Sequence, residues 1–244
     1  METKIGDLAE LKSIQLAELN QFYKTWYAPN NATMVISGKF DKTEVLQKID
    51  QYFSPIAART VPEAVQVPSL DASKISQRQF SVQKGSDFAK FHIYLNGSNS
   101  NIQPALAVAP SLYTMQPSGS LYKSMVQTGL STAVQSTTWL ENEFNLVFMG
   151  AVYAPTHDAA KVQTALTQGV ENNTAFSAVE LQRIKSISQN AAENVAKDAV
   201  ALGSRLSDYA VSERWQWTKY FQDLHAIQDL KLDTTNQMLK QFLV

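Results

Sequence analysis

The sequence predicts an α+β fold, an antiparallel-type sheet with helices packed on one face, preceded by a partial α/β unit. Three observations predict it. Residues 16 to 53 switch from a helical to a strand period and back again. Two pairs of strand candidates, 79–83 with 88–95 and 131–139 with 144–153, each flank a short polar turn. From residue 154 onward the pattern is helical.

Residues 1 to 13 are polar apart from Ile5, Leu8 and Leu11, with Ser13 placed to cap the first long helix. That helix carries Leu16, Leu19, Phe22, Tyr23 and Trp26 on one stripe and ends before Pro29, because the residue preceding a proline avoids helical geometry. Asn30 and Asn31 suit the turn that follows, and Thr33 to Ser37, bounded by Gly38, is expected to be a strand. Asp41, with Glu44 three residues on, is the N-terminal signature of a helix expected to bury Val45, Leu46, Ile49 and Phe53. Residues 56–76 contain Pro62 and Pro68 and keep no period, which predicts an extended linker between a unit at 1–55 and a second at 77–244.

In the second unit, Phe91, Ile93 and Leu95 alternate with His92 and Tyr94, the pattern of a strand with two differently packed faces. Its hairpin partner ends at the Lys84-Gly85-Ser86-Asp87 turn. Pro104 suits a helix start, and Pro110 is expected to bend or split the helix that runs to Met115. Ser118 is expected to cap a helix through Gln127, with Gly129 in the left-handed conformation that ends it. The run Phe144 to Tyr153 has the most buried character of any strand, and Gly150 permits close approach. Thr156 is expected to cap a helix with Ala159, Val162, Leu166 and Val170 inward. Ser177 and Glu180 form a capping box opening a helix with Leu181, Ile184 and Ile187, and further helices are expected over 200–211 and 234–243.

With 244 residues and 44% apolar content the chain can bury a sizeable core. A net charge of -1 supplies no basic field for nucleic acid, and no apolar run reaches the length of a membrane span. With no cysteine, disulfides and thiolate sites are excluded. No signal peptide is recognisable, so the compartment stays open; if a parent protein is exported, its signal lies upstream of Met1.

The segment Phe22-Tyr23-x-x-Trp26-Tyr27-Ala28-Pro29-Asn30-Asn31-Ala32-Thr33-Met34-Val35-Ile36-Ser37-Gly38-Lys39-Phe40-Asp41, followed by Tyr52-Phe53-Ser54-Pro55-Ile56, resembles the pitrilysin/insulinase family of zinc metallopeptidases, which includes the mitochondrial processing peptidases. Thr3-x-Ile5-Gly6 resembles the lead-in to that segment, and Ser118-Gly119-Ser120-Leu121-Tyr122-Lys123 with Gly129-Leu130 is a looser match to the family's second α/β unit. The resemblance implies zinc held by an H-x-x-E-H helix, in which two His bind the metal and the Glu activates water. This chain has no such motif. Zinc is therefore expected in the parent protein and not in this chain, which looks cut at both ends relative to a full peptidase half and alone is expected not to hydrolyse peptides. The implied role is to form chamber wall and inter-domain contacts for peptide hydrolysis by the parent. The implied partners are the upstream zinc-bearing segment, the second half of the parent or a partner chain, and the parent's peptide substrates. The alternative is a degenerate, zinc-free family member acting as a substrate-holding or interaction subunit. A binding module unrelated to peptidases would lack the helix, strand, helix unit beside a second α/β layer.

No catalytic, cofactor-binding or metal residue is assigned. His92, His157 and His225 are the three histidines, none with a second His or Glu at helix-face spacing. Glu141 and Glu143 suit a solvated hairpin tip better than acid/base work, and Trp217, Tyr220, Phe221 and Leu224, close to Trp215, suit packing between helices better than a peptide-binding surface. In the family, partner halves carry an Arg before, and a Tyr after, a Gly-Leu pair. At Gly129-Leu130 those positions hold Met125 and Thr132, which resembles the zinc-bearing half's own second domain.

Overall fold

A computed structural model of the chain describes residues 7–63, 65, 70–71, 74, 76–84, 87–212 and 216–243. The Ile5-Gly6 lead-in, the Gly85-Ser86 hairpin tip, Pro68 and Trp215 lie outside the described residues. The chain divides into two compact units, residues 1–66 and 67–244.

The first unit holds α1 (Leu8–Ser13), α2 (Leu16–Trp26), a 3-10 turn (Pro29–Asn31) and α3 (Lys42–Phe53). Asp7 caps α1, and Ser13 does not cap α2: its hydroxyl donates back to the Glu10 carbonyl, and the Gln15 amide donates to Glu18 instead. At α3 the Asp41 carboxylate accepts from the Glu44 amide at 2.9 Å, but the reciprocal half of the box is replaced by a forward ion pair from Glu44 to Lys48 at 2.6 Å. That pairing holds the Glu44 carboxyl below its ordinary range.

Two expectations fail in this unit. Residues 33–38 are not a paired strand, since an extended segment becomes a strand only when another backbone meets its N–H and C=O groups. Nor does α3 bury its apolar stripe. Leu46 and Phe53 are exposed, Val45 and Ile49 are half-buried, and of the unit's described apolar residues only Ala28 is buried. The sequence stripe is real, but the described residues cover it only in part. The Asn30 side chain also binds the Arg59 carbonyl and amide, each at 3.0 Å, which ties the start of the expected linker to the 3-10 turn.

The second unit is built on a four-stranded antiparallel sheet of β1 (Ser76–Lys84), β2 (Asp87–Gly97), β3 (Ala133–Leu140) and β4 (Phe144–Tyr153), in the order β1-β2-β4-β3. Strand β4 is central, and its alternate residues Asn145, Val147, Met149, Ala151 and Tyr153 are buried. At Gly150 an added Cβ would lie 2.8 Å from the Phe91 ring, the close approach expected there.

Helices α4 (Gln103–Thr114) and α5 (Ala159–Glu171) cover one face of this sheet, with Leu106, Tyr113 and Leu166 fully buried beneath them. Pro110 lies inside α4 without splitting it. The next helical stretch starts at Ser120 and runs as a π-helical segment over Tyr122–Val126. Ser118 does not cap it; its hydroxyl accepts from Arg183 at 3.3 Å. Gly129 has the left-handed φ of 77° expected of it.

The cap of α5 is Asp158, not Thr156: its carboxylate accepts from the Ala160 and Lys161 amides at 2.8 and 3.3 Å. Helix α6 (Ala178–Lys197) opens on the full capping box, with the Glu180 amide donating to Ser177 Oγ at 3.2 Å and the Ser177 amide donating to the Glu180 carboxylate at 2.8 Å. Leu181 and Ile184 are buried as expected, whereas Ile187 is exposed. Helices α7 (Ala199–Ser212), α8 (Lys219–Gln228) and α9 (Leu232–Leu243) complete the unit, and Leu239, Phe242 and Leu243 of α9 close the core.

Candidate functional site

Strand register decides which side chains each face of the sheet carries. Antiparallel pairing aligns Phe80 with Phe91, Ile93 with Phe148, and Trp139 with Leu146. Successive side chains on a strand alternate in direction. The helix-covered face therefore takes His92, Tyr94, Val147 and Met149, and the opposite face takes Phe80, Phe91, Ile93, Leu146, Phe148 and Trp139. On that opposite face Phe80 and Trp139 are exposed, and Phe91, Ile93, Leu146 and Phe148 are half-buried.

Four aromatic rings cross this open face from one sheet edge to the other. Phe80 and Phe91 lie 4.8 Å apart between centroids, Phe91 and Phe148 4.9 Å, and Phe148 and Trp139 6.3 Å. Those separations fall within the range of favourable ring contacts. The outer rings stay accessible, Phe80 at 40% and Trp139 at 45%. On β1 the face also bears Arg78 and Val82, and on β3 Gln135 and Thr137, so its charge is sparse and its middle is apolar. Cross-strand aromatic pairs stabilise a sheet, but that leaves unexplained why the row is uncovered. The sequence carried part of this signal in the alternation of β2; the two-faced character of β4 and the order β1-β2-β4-β3 that joins four residues into one row were not read from it.

A second apolar surface belongs to the first unit. Met34 and Ile36 of the unpaired extended segment face Val45, Leu46, Ile49 and Phe53 of α3 across an open groove of about 620 Å³.

The histidines lie in three separate settings. His92 is fully buried on β2, stacked on Tyr94 at 4.4 Å, with Nε2 3.0 Å from Gln77 Oε1 and Nδ1 3.3 Å from Thr167 Oγ1. A neutral ring carrying its proton on Nε2 donates to Gln77 and accepts from Thr167. The ring nitrogens of His157 lie 2.8 Å from the Gly129 carbonyl oxygen and 3.3 Å from that of Ala154, which joins two turns. His225 is exposed on α8. Among the described residues, no group of three or more His, Cys, Asp or Glu side chains gathers in a way that could hold a metal ion. None of their helices is long and apolar enough to cross a membrane.

Burial lowers the His92 pKa, because the charged ring loses water that its two neutral partners do not replace. Burial, with the Glu171 carboxylate adding to it, raises that of the Tyr94 hydroxyl, which has no hydrogen-bond partner among the described residues. A pKa below the unfolded value of 6.5 means that the unfolded chain binds the extra proton first. The stability contributed by neutral His92 is complete above that value and is lost as pH falls through the folded pKa. The urea midpoint should therefore fall between about pH 7.5 and about pH 5.5, and His92→Gln should flatten that slope. An equal slope in both proteins would remove His92 as its source.

The remaining sequence candidates separate. Glu141 and Glu143 sit on the β3–β4 turn, where the Glu141 amide donates to the Phe144 carbonyl at 2.9 Å. Tyr220 is buried as expected, but Trp217 and Phe221 are half exposed and rest edge-on against each other at 6.4 Å, so core packing accounts for only part of that stripe. Met125 is buried in the core, and the Thr132 hydroxyl donates to the Val152 carbonyl at 3.1 Å.

A family model described as the peptidase M16 inactive domain matches residues 13–188. The Escherichia coli (strain K12) protein described as "Probable zinc protease PqqL" is 36% identical over 59 residues, which are 24% of this chain and 6% of that protein. The chain thus spans a small part of that relative's length. Among solved structures, an inactive peptidase domain from Bordetella parapertussis is similar over 68% of this chain and 90% of its own, with 26% identity and a TM-score of 0.59. A protease from Helicobacter pylori shares the fold over 98% of this chain and 59% of its own, with 16% identity and a TM-score of 0.78.

Proposed function

Because this chain belongs to the M16 peptidase family, as a member of its inactive-domain group, we propose that it is a non-catalytic portion of a zinc endopeptidase and that its open sheet face is a wall of the peptide chamber. The row Phe80, Phe91, Phe148 and Trp139 carries this reading. An uncovered apolar face on an otherwise well-packed unit marks a surface that meets another molecule, and an extended polypeptide with apolar side chains matches its width and chemistry.

The first unit has a different role in this reading. Domains of this family pair with other M16 halves. The unpaired segment 33–38 and the apolar groove beside α3 are what an α/β unit shows when the strands and helices that complete it come from elsewhere. We assign that completing part to the zinc-bearing portion of the parent. With Met125 in the core and the Thr132 hydroxyl engaged by Val152, the second unit supplies no Arg and Tyr pair to the substrate, so its contribution is shape and apolar contact.

The test is cleavage of a pool of unstructured peptides by the whole protein that carries this chain, beside the chain alone. Cleavage by the whole protein that a chelator abolishes and zinc restores, with none by the chain alone, is the expected result. A whole protein without zinc or cleavage overturns the peptidase reading in favour of a substrate-holding subunit. Cleavage by the chain alone overturns its non-catalytic assignment.

A further inference from the structure

A cleft of 230 Å³ opens in the second unit between the start of α4, the end of β3 and helices α7 and α8. It is separate from the open sheet face and from the groove of the first unit. Pro104, Leu140 and Ile227 give it apolar walls, and the rings of Tyr209 and Tyr220, which meet edge to face at 5.5 Å, stand on one side.

Its charge is uneven. Lys219 Nζ donates to both carboxylate oxygens of Asp223 at 2.8 Å, so that cation and that anion offset each other. Glu141 is held in place through its backbone carbonyl, which accepts from Ser98 Oγ at 2.9 Å and Gln103 Nε2 at 3.2 Å. Its half-buried carboxylate makes no hydrogen bond or ion pair with any described residue. Among the described lining residues Glu141 is thus the charged side chain without a charged partner, beside aromatic rings and an apolar wall.

We propose that this cleft binds the side chain of a lysine or arginine residue in a peptide. A basic side chain has the parts the cleft asks for, an aliphatic stem to lie along Pro104, Leu140 and Ile227 and a cationic head for Glu141. Tyrosine rings add attraction for a cation. The volume lies below the range of pockets that enclose drug-sized ligands and suits one side chain. An anionic ligand fits badly, because Lys219 is already engaged by Asp223 and Glu141 would repel it.

The experiment is a fluorescence anisotropy titration of the full chain with short labelled peptides that carry lysine, arginine or norleucine at one central position. The lysine and arginine peptides should bind at least about tenfold more tightly than the norleucine peptide, with an advantage that shrinks as salt is added. Glu141→Gln should weaken the lysine peptide on the order of tenfold. Ala107→Lys places a competing cation on an exposed lining position and should abolish the preference in a chain whose circular dichroism is unchanged. Equal affinity for lysine and norleucine peptides overturns the proposal, as does wild-type binding by both variants. No zinc-bearing partner is present in the titration, so its outcome is independent of the chamber reading.

Discussion

If the sheet face is the proposed chamber wall, replacing Phe91 and Phe148 together by serine in the whole protein that carries this chain is expected to raise KM for unstructured peptides by about 10-fold to 100-fold while kcat changes by less than about threefold. Both rings lie in the middle of the open row, and each makes two ring contacts, Phe91 with Phe80 and Phe148, and Phe148 with Phe91 and Trp139. Covering a large apolar side chain contributes roughly 1.5–3 kcal/mol when burial is complete, so partial cover of two rings corresponds to about 1.4–2.8 kcal/mol. On the proposed reading the wall would touch substrate before and during the reaction alike. Its loss should therefore remove uniform binding, which moves KM and leaves the chemical step alone. The serine variant also loses cross-strand ring pairs, which contribute roughly 0.2–1 kcal/mol each, a modest fall in melting temperature that separates lost contact from lost fold. Unchanged KM in a folded variant would mean that peptide does not lie on this face. A collapse of kcat at constant KM would place the rings' effect on assembly of the zinc site.

The fold was legible where the deciding physics is local. Ser177 with Glu180 announces α6 because the capping box needs only residues three apart, and both of its hydrogen bonds form. Alternation in Phe91 to Leu95 shows a two-faced strand because the side-chain period is intrinsic to extended backbone, and the apolar run Phe144 to Tyr153 announces the central strand. Where neighbours decide, the sequence was silent or misleading. Asp158 and Thr156 both suit a helix start, and the choice between them depends on where the chain leaves Tyr153. Residues 33–38 have strand chemistry but no strand beside them among the described residues, so propensity without a partner left an extended segment. The candidate surfaces lie further still from sequence. The aromatic row exists only once β4 lies between β2 and β3, and the cleft beside Glu141 only once α7 and α8 return to the end of β3.

The second large effect should come from the first unit. If the first unit joins a zinc-bearing portion as proposed, Met34→Asp with Ile36→Asp is expected to reduce capture of that portion, supplied as a separate polypeptide, by at least about a hundredfold, and to abolish zinc-dependent cleavage by the mixture. Both side chains line the open groove opposite α3, and both are exposed, 49% for Met34 and 43% for Ile36. Both contacts are already about half covered, so losing them costs roughly 1.5–3 kcal/mol if the partner covers the rest, and the two introduced carboxylates would also have to be desolvated. Within the chain by itself the change should be nearly neutral, since neither residue is buried; the smaller apolar patch should even lower self-association. That contrast makes the measurement specific. Tyr52→Asp is the matched control, because Tyr52 is 64% exposed on α3 and does not line the groove, so its capture and activity should stay close to wild type. Size-exclusion chromatography of the mixtures with peptide cleavage as the second readout distinguishes the outcomes. Full capture and activity in the double variant would show that the partner does not cover this groove. Equal loss in Tyr52→Asp would show that added charge anywhere on the unit disrupts assembly, and the unpaired segment would then lose its claim to be the joining surface.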